Sequence, residues 1–135
     1  MAVETAAIMV WMSMLLFGFF EYGRLLMDWS LLNNAAREGC RYALVNNTSS
    51  TVSTSVQGVV TTYMAGRTTS FSNFTVTVSG THLGVSTAVN SLEPGDPITV
   101  TVTGTYKFLN IIPLIHLPTS LSISSSVMMM CEGGA

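Results

Sequence analysis

The chain has 135 residues, 48% hydrophobic and only 9% charged, with a formal net charge of −2. Soluble proteins usually carry about 25% charged residues, so part of this chain is suited to a bilayer. The slight acidity excludes a broad basic field of the kind that holds nucleic acid or an anionic surface.

The apolar excess lies near the start, and the remainder is rich in Ser, Thr and Val. Two unlike parts are expected: residues 1–46 as a membrane-compatible helix and stalk, and residues 47–135 as a small β-rich domain. No charge occurs from Thr5 to Phe20. As a helix that run spans roughly 24 Å, slightly short of the roughly 30 Å hydrocarbon core of a bilayer. Apolar character resumes after Glu21 through Leu25, Leu26, Met27 and Trp29, which is enough to cross. Ala, Leu and Met favour helix, and no proline precedes Pro94, so one helix is predicted from about Ala2 to about Leu44. A signal peptide would open with a basic region, and an ordinary anchor would carry Lys or Arg on its cytoplasmic flank. Here the flank is "MAVE". Met1 is therefore expected to be a processed N-terminus, or to follow a basic leader outside this numbering. Glu4 then stands as an acid at the head of the most apolar segment, either marking the edge of a simple anchor or meeting a partner charge.

Further along, Leu25, Trp29, Leu32, Ala36, Cys40 and Ala43 recur at steps of three and four, which puts them on one helical face. Glu21 and Arg24 stand three apart and Asp28 four beyond, at the spacing of an intrahelical charge ladder. For Asp28 the expectation is surface pairing just outside the bilayer. Glu21 and Arg24 are open to that reading and to cross-subunit pairing. The polar "NNTSST" ends the helix.

A second helix is predicted in "TVSTSVQGVVTTYMAG", with Val52, Val56, Val59, Val60 and Tyr63 at helical spacing and Gly66 as the stop. Three strands follow. "FTVTVSG" alternates Phe74, Val76 and Val78 with Thr; "ITVTVTGTYKF" lines up Ile98, Val100, Val102, Tyr106 and Phe108; "LSISSSVMMMC" lines up Leu121, Ile123, Val127, Met129 and Cys131. One apolar side per strand makes an antiparallel sheet that needs a cover. The stripe of the first helix is the expected lid, with the second helix beside it. The fold class is α+β. "SLEPGDP" reads as turns, and "FLNIIPLIHLP" as an apolar loop that tucks under the sheet or meets another subunit.

In this order and spacing, "AVETA", "LLFGFFEYGRLL", "NNAAREGCRYA" and the closing "SISSSVMMMCE" resemble the TadE-like pseudopilins of tight-adherence (Flp-type) pili. The resemblance implies cleavage by a prepilin peptidase, insertion in the inner membrane, and helical assembly with copies of itself or other pilins into an extracellular filament through the pilus machinery. Met1, Glu4, Glu21 and Arg24 would then be assembly residues. In such proteins the acid is usually the fifth mature residue, whereas Glu4 is the fourth here. An N-terminal ammonium of one subunit and Glu4 of its neighbour would fix the axial register.

Cys40 on the inner stripe and Cys131 on the last strand are a candidate disulfide, or two buried thiols. The family pattern has a small residue at the first position and a basic one near the second, which fits a bridge. Asn46, Asn47 and Asn73 begin glycosylation sequons. His82 and His116 are expected in separate loops with no acid or Cys at metal spacing. No catalytic elbow, phosphate loop, dinucleotide fingerprint or zinc ligand set occurs. The expectation is a structural protein without cofactor, nucleic acid or catalytic residue; the competing class is an anchored binding module that does not polymerise.

Overall fold

The computed structural model describes residues 2–108 and 120–131. Met1, His116 and most of the apolar segment "FLNIIPLIHLP" lie outside the described residues. Helix α1 runs unbroken over Ala2–Val45, about 66 Å at 1.5 Å per residue. Its uninterrupted length follows from the Ala, Leu and Met content and the lack of proline, and Glu4 in its first turn complements the positive end of the helix dipole. The helix stops where the Asn46 side chain and backbone N–H both donate to the Tyr42 carbonyl at 3.1 Å. Helix α2 covers Val52–Tyr63. Ala65 and Gly66 then turn the chain with positive φ, 47° and 80°, and a short 3-10 turn, Arg67–Ser70, leads into the sheet.

The sheet has four strands: β1 (Phe71–His82), β2 (Val85–Thr87), β3 (Pro97–Lys107) and β4 (Ser120–Met130). They pair antiparallel in the order β2-β1-β3-β4. Three strands were expected and all three form; β2 is the addition. It closes a hairpin through Leu83 and Gly84, both at positive φ, the geometry of a tight two-residue turn. Three residues are too few to show an alternation, and Leu is an unusual occupant of such a turn.

The register aligns apolar with apolar: Val78 faces Val100, which faces Val127, and Ile98 faces Met129. Ile98, Val100, Val102 and Tyr106 are fully buried beneath the helices. On the opposite face Thr101 pairs with Ser126, hydroxyl to hydroxyl at 3.1 Å. Asn73 takes φ 54° at the irregularity between Ser72 and Thr75, where a short amide side chain tolerates left-handed backbone better than a branched one.

The core is where the second half of α1, α2 and the sheet meet. Leu32, Ala35, Ala36, Cys40 and Ala43 of α1 pack with Val52, Val56, Val60 and Met64. The expected lid is therefore in place, with one exchange along its stripe: Trp29 is exposed and Asp28 is buried. The small side chains allow close approach. At Gly39 an added Cβ would lie 2.7 Å from Val60 Cγ2, so only glycine fits where α1 crosses α2.

The second correction concerns His82. It lies at the end of β1 rather than in a loop, and its Nδ1 is 2.7 Å from Asp96 Oδ2. The "SLEPGDP" turn folds Asp96 back so that the same oxygen accepts the Glu93 backbone N–H at 2.7 Å. The Asp96 carboxyl is held below its ordinary range, first by that N–H and then by His82. A depressed carboxylate stabilises the fold above its unfolded-state pKa, and the benefit disappears as pH falls through the lowered folded value. Thermal stability in neutral detergent should therefore drop on acidification below about pH 4. Asp96→Asn should flatten that limb, which a melting series in acidic buffers will check.

A candidate assembly helix and its polar junction

From Val3 to Phe20 the side chains of α1 are exposed among the described residues, with Met14 half-buried; Val3 is 82% exposed, Trp11 71% and Phe19 71%. The helix is long and apolar enough to cross a membrane. An apolar helical surface that the described residues leave uncovered is suited to lipid or to a protein partner, since leaving it in water costs about 25 cal/mol for each Å². Glu4 is on this exposed part.

Beyond Phe20 the character changes within one turn. Tyr106, fully buried on β3, reaches α1 with its hydroxyl, which accepts from Arg24 Nε at 2.8 Å and donates to Glu21 Oε1 at 3.0 Å. Burial, then the hydrogen bond to Glu21, pushes the Tyr106 phenol above its usual pKa. Arg24 also donates to the Lys107 carbonyl at 3.3 Å and sits 3.8 Å from Glu21. The intrahelical Glu21–Arg24 pair expected from spacing is thus present, and both residues are also tied to the sheet.

Asp28 departs from the expected ladder. It is fully buried and pairs with Arg67 of the 3-10 turn at 2.5 Å instead of with Arg24. The surface pairing expected for Asp28 is thus corrected: residues 28, 32, 35 and 39 share the side of the helix that faces the core. Its partner lies 39 positions away in sequence.

At the far end of the core Cys40 and Cys131 are both buried and both free thiols. Cys40 lies 3.6 Å from the Ile98 carbonyl, and Asn47 Nδ2 is 3.8 Å from Cys131 Sγ. The two cysteines are brought to the same end of the domain, as their faces implied, but the bridge is not formed. Of the sequon residues, Asn46 caps α1, Asn47 faces Cys131 and Asn73 occupies the exposed strand irregularity. No group of three His, Cys, Asp or Glu suited to a metal ion occurs among the described residues.

Residues 1–41 match the model of a family described as TadE-like protein. No curated protein and no solved structure matches the chain. The matched stretch contains the exposed apolar surface, Glu4, the Glu21–Arg24 pair and Asp28, and it reaches into the packed half of α1 at Cys40. The helix has the length and apolar character of a membrane anchor, and the matched segment is similar to that of TadE-like proteins. The match covers 41 of the 135 residues, and over that stretch the chain is similar to TadE-like proteins.

Proposed function

We propose that this chain is a structural pilin-type subunit, not an enzyme, inserted in the inner membrane through α1 and then built through the same helix into an extracellular filament. The observation that carries the reading is the division of α1: its second half is buried in its own domain, while Val3–Phe20 offers an apolar cylinder that the described residues leave largely uncovered. Neighbouring subunits packed helix against helix would cover it, and the α+β domain would face outward, available for adhesion. Prepilin peptidase and the pilus machinery are the partners this route requires. Glu4 serves as the register partner of the neighbouring N-terminal ammonium, an interaction strengthened by the low-dielectric surroundings. Oxidation of Cys40 and Cys131 to a bridge belongs to the stage after export.

The test is Glu4→Leu in the native host, with sheared surface filaments and membranes collected separately. The expected result is normal membrane abundance and loss of the variant from filaments by at least about tenfold, equivalent to about 1.4 kcal/mol in incorporation. Intact mass and N-terminal sequencing of the wild-type filament fraction should place the first residue within one position of Met1, and the same spectrum reads the state of the thiols. A wild-type chain found unprocessed and only in membranes would overturn the filament reading in favour of an anchored binding module.

A further inference from the structure

The five Lys and Arg residues of the chain are too few for a broad basic field, but they are not evenly spread. Arg24, Arg67 and Lys107 line one open cavity of about 500 Å³ with Thr69, Ser70 and Phe108. Arg24 and Arg67 face the carboxylates Glu21 and Asp28, so three cations against two anions leave one positive charge. Lys107 carries it: exposed at the end of β3, it has no carboxylate partner among the described residues.

The height of this cavity along α1 decides what it can meet. Val3 and Arg24 are 21 residues apart on a continuous helix, about 32 Å, close to the roughly 30 Å thickness of a hydrocarbon core. A membrane filled by the apolar segment ends at the cavity mouth. Tyr22 and Trp29, 59% and 48% exposed, flank Arg24 at that level, where amphipathic aromatic rings sit at the headgroups.

We propose that the cavity binds the phosphate of an anionic phospholipid headgroup while the subunit resides in the membrane. The Lys107 ammonium and the Ser70 hydroxyl contact the phosphate, Phe108 contacts the glycerol end, and the acyl chains lie along the exposed face of α1. One uncompensated charge is too little to draw a soluble phosphate dianion out of water. It is enough for a lipid whose chains are already held beside the helix. The site rests on the membrane-resident stage of the proposed function and is independent of polymerisation.

The experiment uses the full chain reconstituted in mixed phosphatidylcholine and phosphatidylglycerol vesicles, extracted in mild neutral detergent, with retained lipid counted by native mass spectrometry. Phosphatidylglycerol should be enriched over its share in the vesicles. Lys107→Gln should reduce that enrichment about fivefold, the effect of one cation at a membrane surface. Arg41→Gln, which removes an exposed charge further along α1, should leave it unchanged. Unchanged melting of Lys107→Gln establishes that its fold is intact. No enrichment, or equal losses in the two variants, would overturn the proposal. So would displacement of the lipid by millimolar inorganic phosphate, which would mark a general anion site. Because Lys107→Gln leaves Glu4 and the apolar helix intact, lipid retention and filament incorporation can fail separately.

Discussion

Arg67→Ala is expected to destabilise the protein by about 3 kcal/mol, at the low end of the cost of stripping one partner from a buried ion pair. The lower end applies because the guanidinium is 38% exposed, whereas Asp28 is fully buried. Asp28 Oδ2 already has no hydrogen-bond partner among the described residues. Removing Arg67 leaves Oδ1 without its ion-pair partner as well. The pair as a whole need not stabilise: Asp28→Leu with Arg67→Met replaces it with apolar groups, and such exchanges are commonly neutral or favourable. The double variant should therefore melt within a few degrees of wild type while Arg67→Ala melts well below it. Urea unfolding of the three proteins in one neutral detergent checks the ordering. Equal stability of Arg67→Ala and wild type would show that water reaches Asp28 and that its burial costs nothing.

Tyr106→Ala is expected to cost about 3–5 kcal/mol, the usual range for truncating a buried large aromatic. The ring is fully buried and meets Phe71 and Phe108 edge-on, with centroids 6.0 Å and 5.3 Å away. Gly104 belongs to the same arrangement, since a Cβ there would come within 2.9 Å of the Phe71 ring. Tyr106→Phe isolates the hydroxyl: it keeps the packing and removes the bonds to Arg24 and Glu21, at a cost of about 1–3 kcal/mol for hydrogen bonds to charged groups. The two variants differ in pH dependence from wild type as well. The raised phenol pKa means that the neutral form is favoured in the fold. Its contribution is full below the unfolded value of about 10 and declines as pH rises through the folded one. Tyr106→Phe should lack that alkaline loss. Hydrogen exchange supplies a local readout: in both variants the amides of Arg24–Asp28 should exchange faster, because this phenol ties the base of the exposed helix to the sheet. Unchanged exchange there would mean that α1 holds its direction without Tyr106.

Both predictions concern the same junction, and its position makes them relevant to the proposed assembly. A helix that packs into a filament through one half must be held at a defined angle to the domain on its other half. Glu21, Arg24, Asp28, Arg67 and Tyr106 supply polar links at the point where packing within the subunit gives way to the exposed apolar surface. The lysine and hydroxyls of the neighbouring cavity belong to the same level of the molecule.

The periodic elements were readable directly. A run without charge or proline can only be a long apolar helix, the three- and four-residue stripe from Leu32 to Ala43 assigns its inner face, and alternating Thr and Val assign three strands with one apolar side each. The short strand β2 was not, because three residues carry no period. Trp29 was misassigned to the core because its spacing fits the stripe as well as that of Asp28 does; periodicity alone cannot tell which of two adjacent positions turns inward. The family resemblance was legible over the first 41 residues, where order and spacing are local, while the closing "SISSSVMMMCE" lies outside the matched stretch.

Charge pairing between distant segments was beyond the sequence. The spacing of Glu21, Arg24 and Asp28 suggested an intrahelical ladder, but the energy of such pairs is only a few tenths of a kcal/mol. A buried carboxylate must instead take whatever cation the fold delivers. That cation is Arg67, and the pairing exists only because α2 and its turn return the chain to α1. Likewise His82 met Asp96 through a turn, and Lys107 joined Arg24 and Arg67 through strand pairing. By itself the sequence determined the long elements, most of their apolar faces and the membrane-compatible helix, because hydrophobic periodicity is a property of neighbours along the chain. Only the tertiary structure decided which charges are buried, which are paired and which one is left over, because electrostatic partners are chosen by proximity in space.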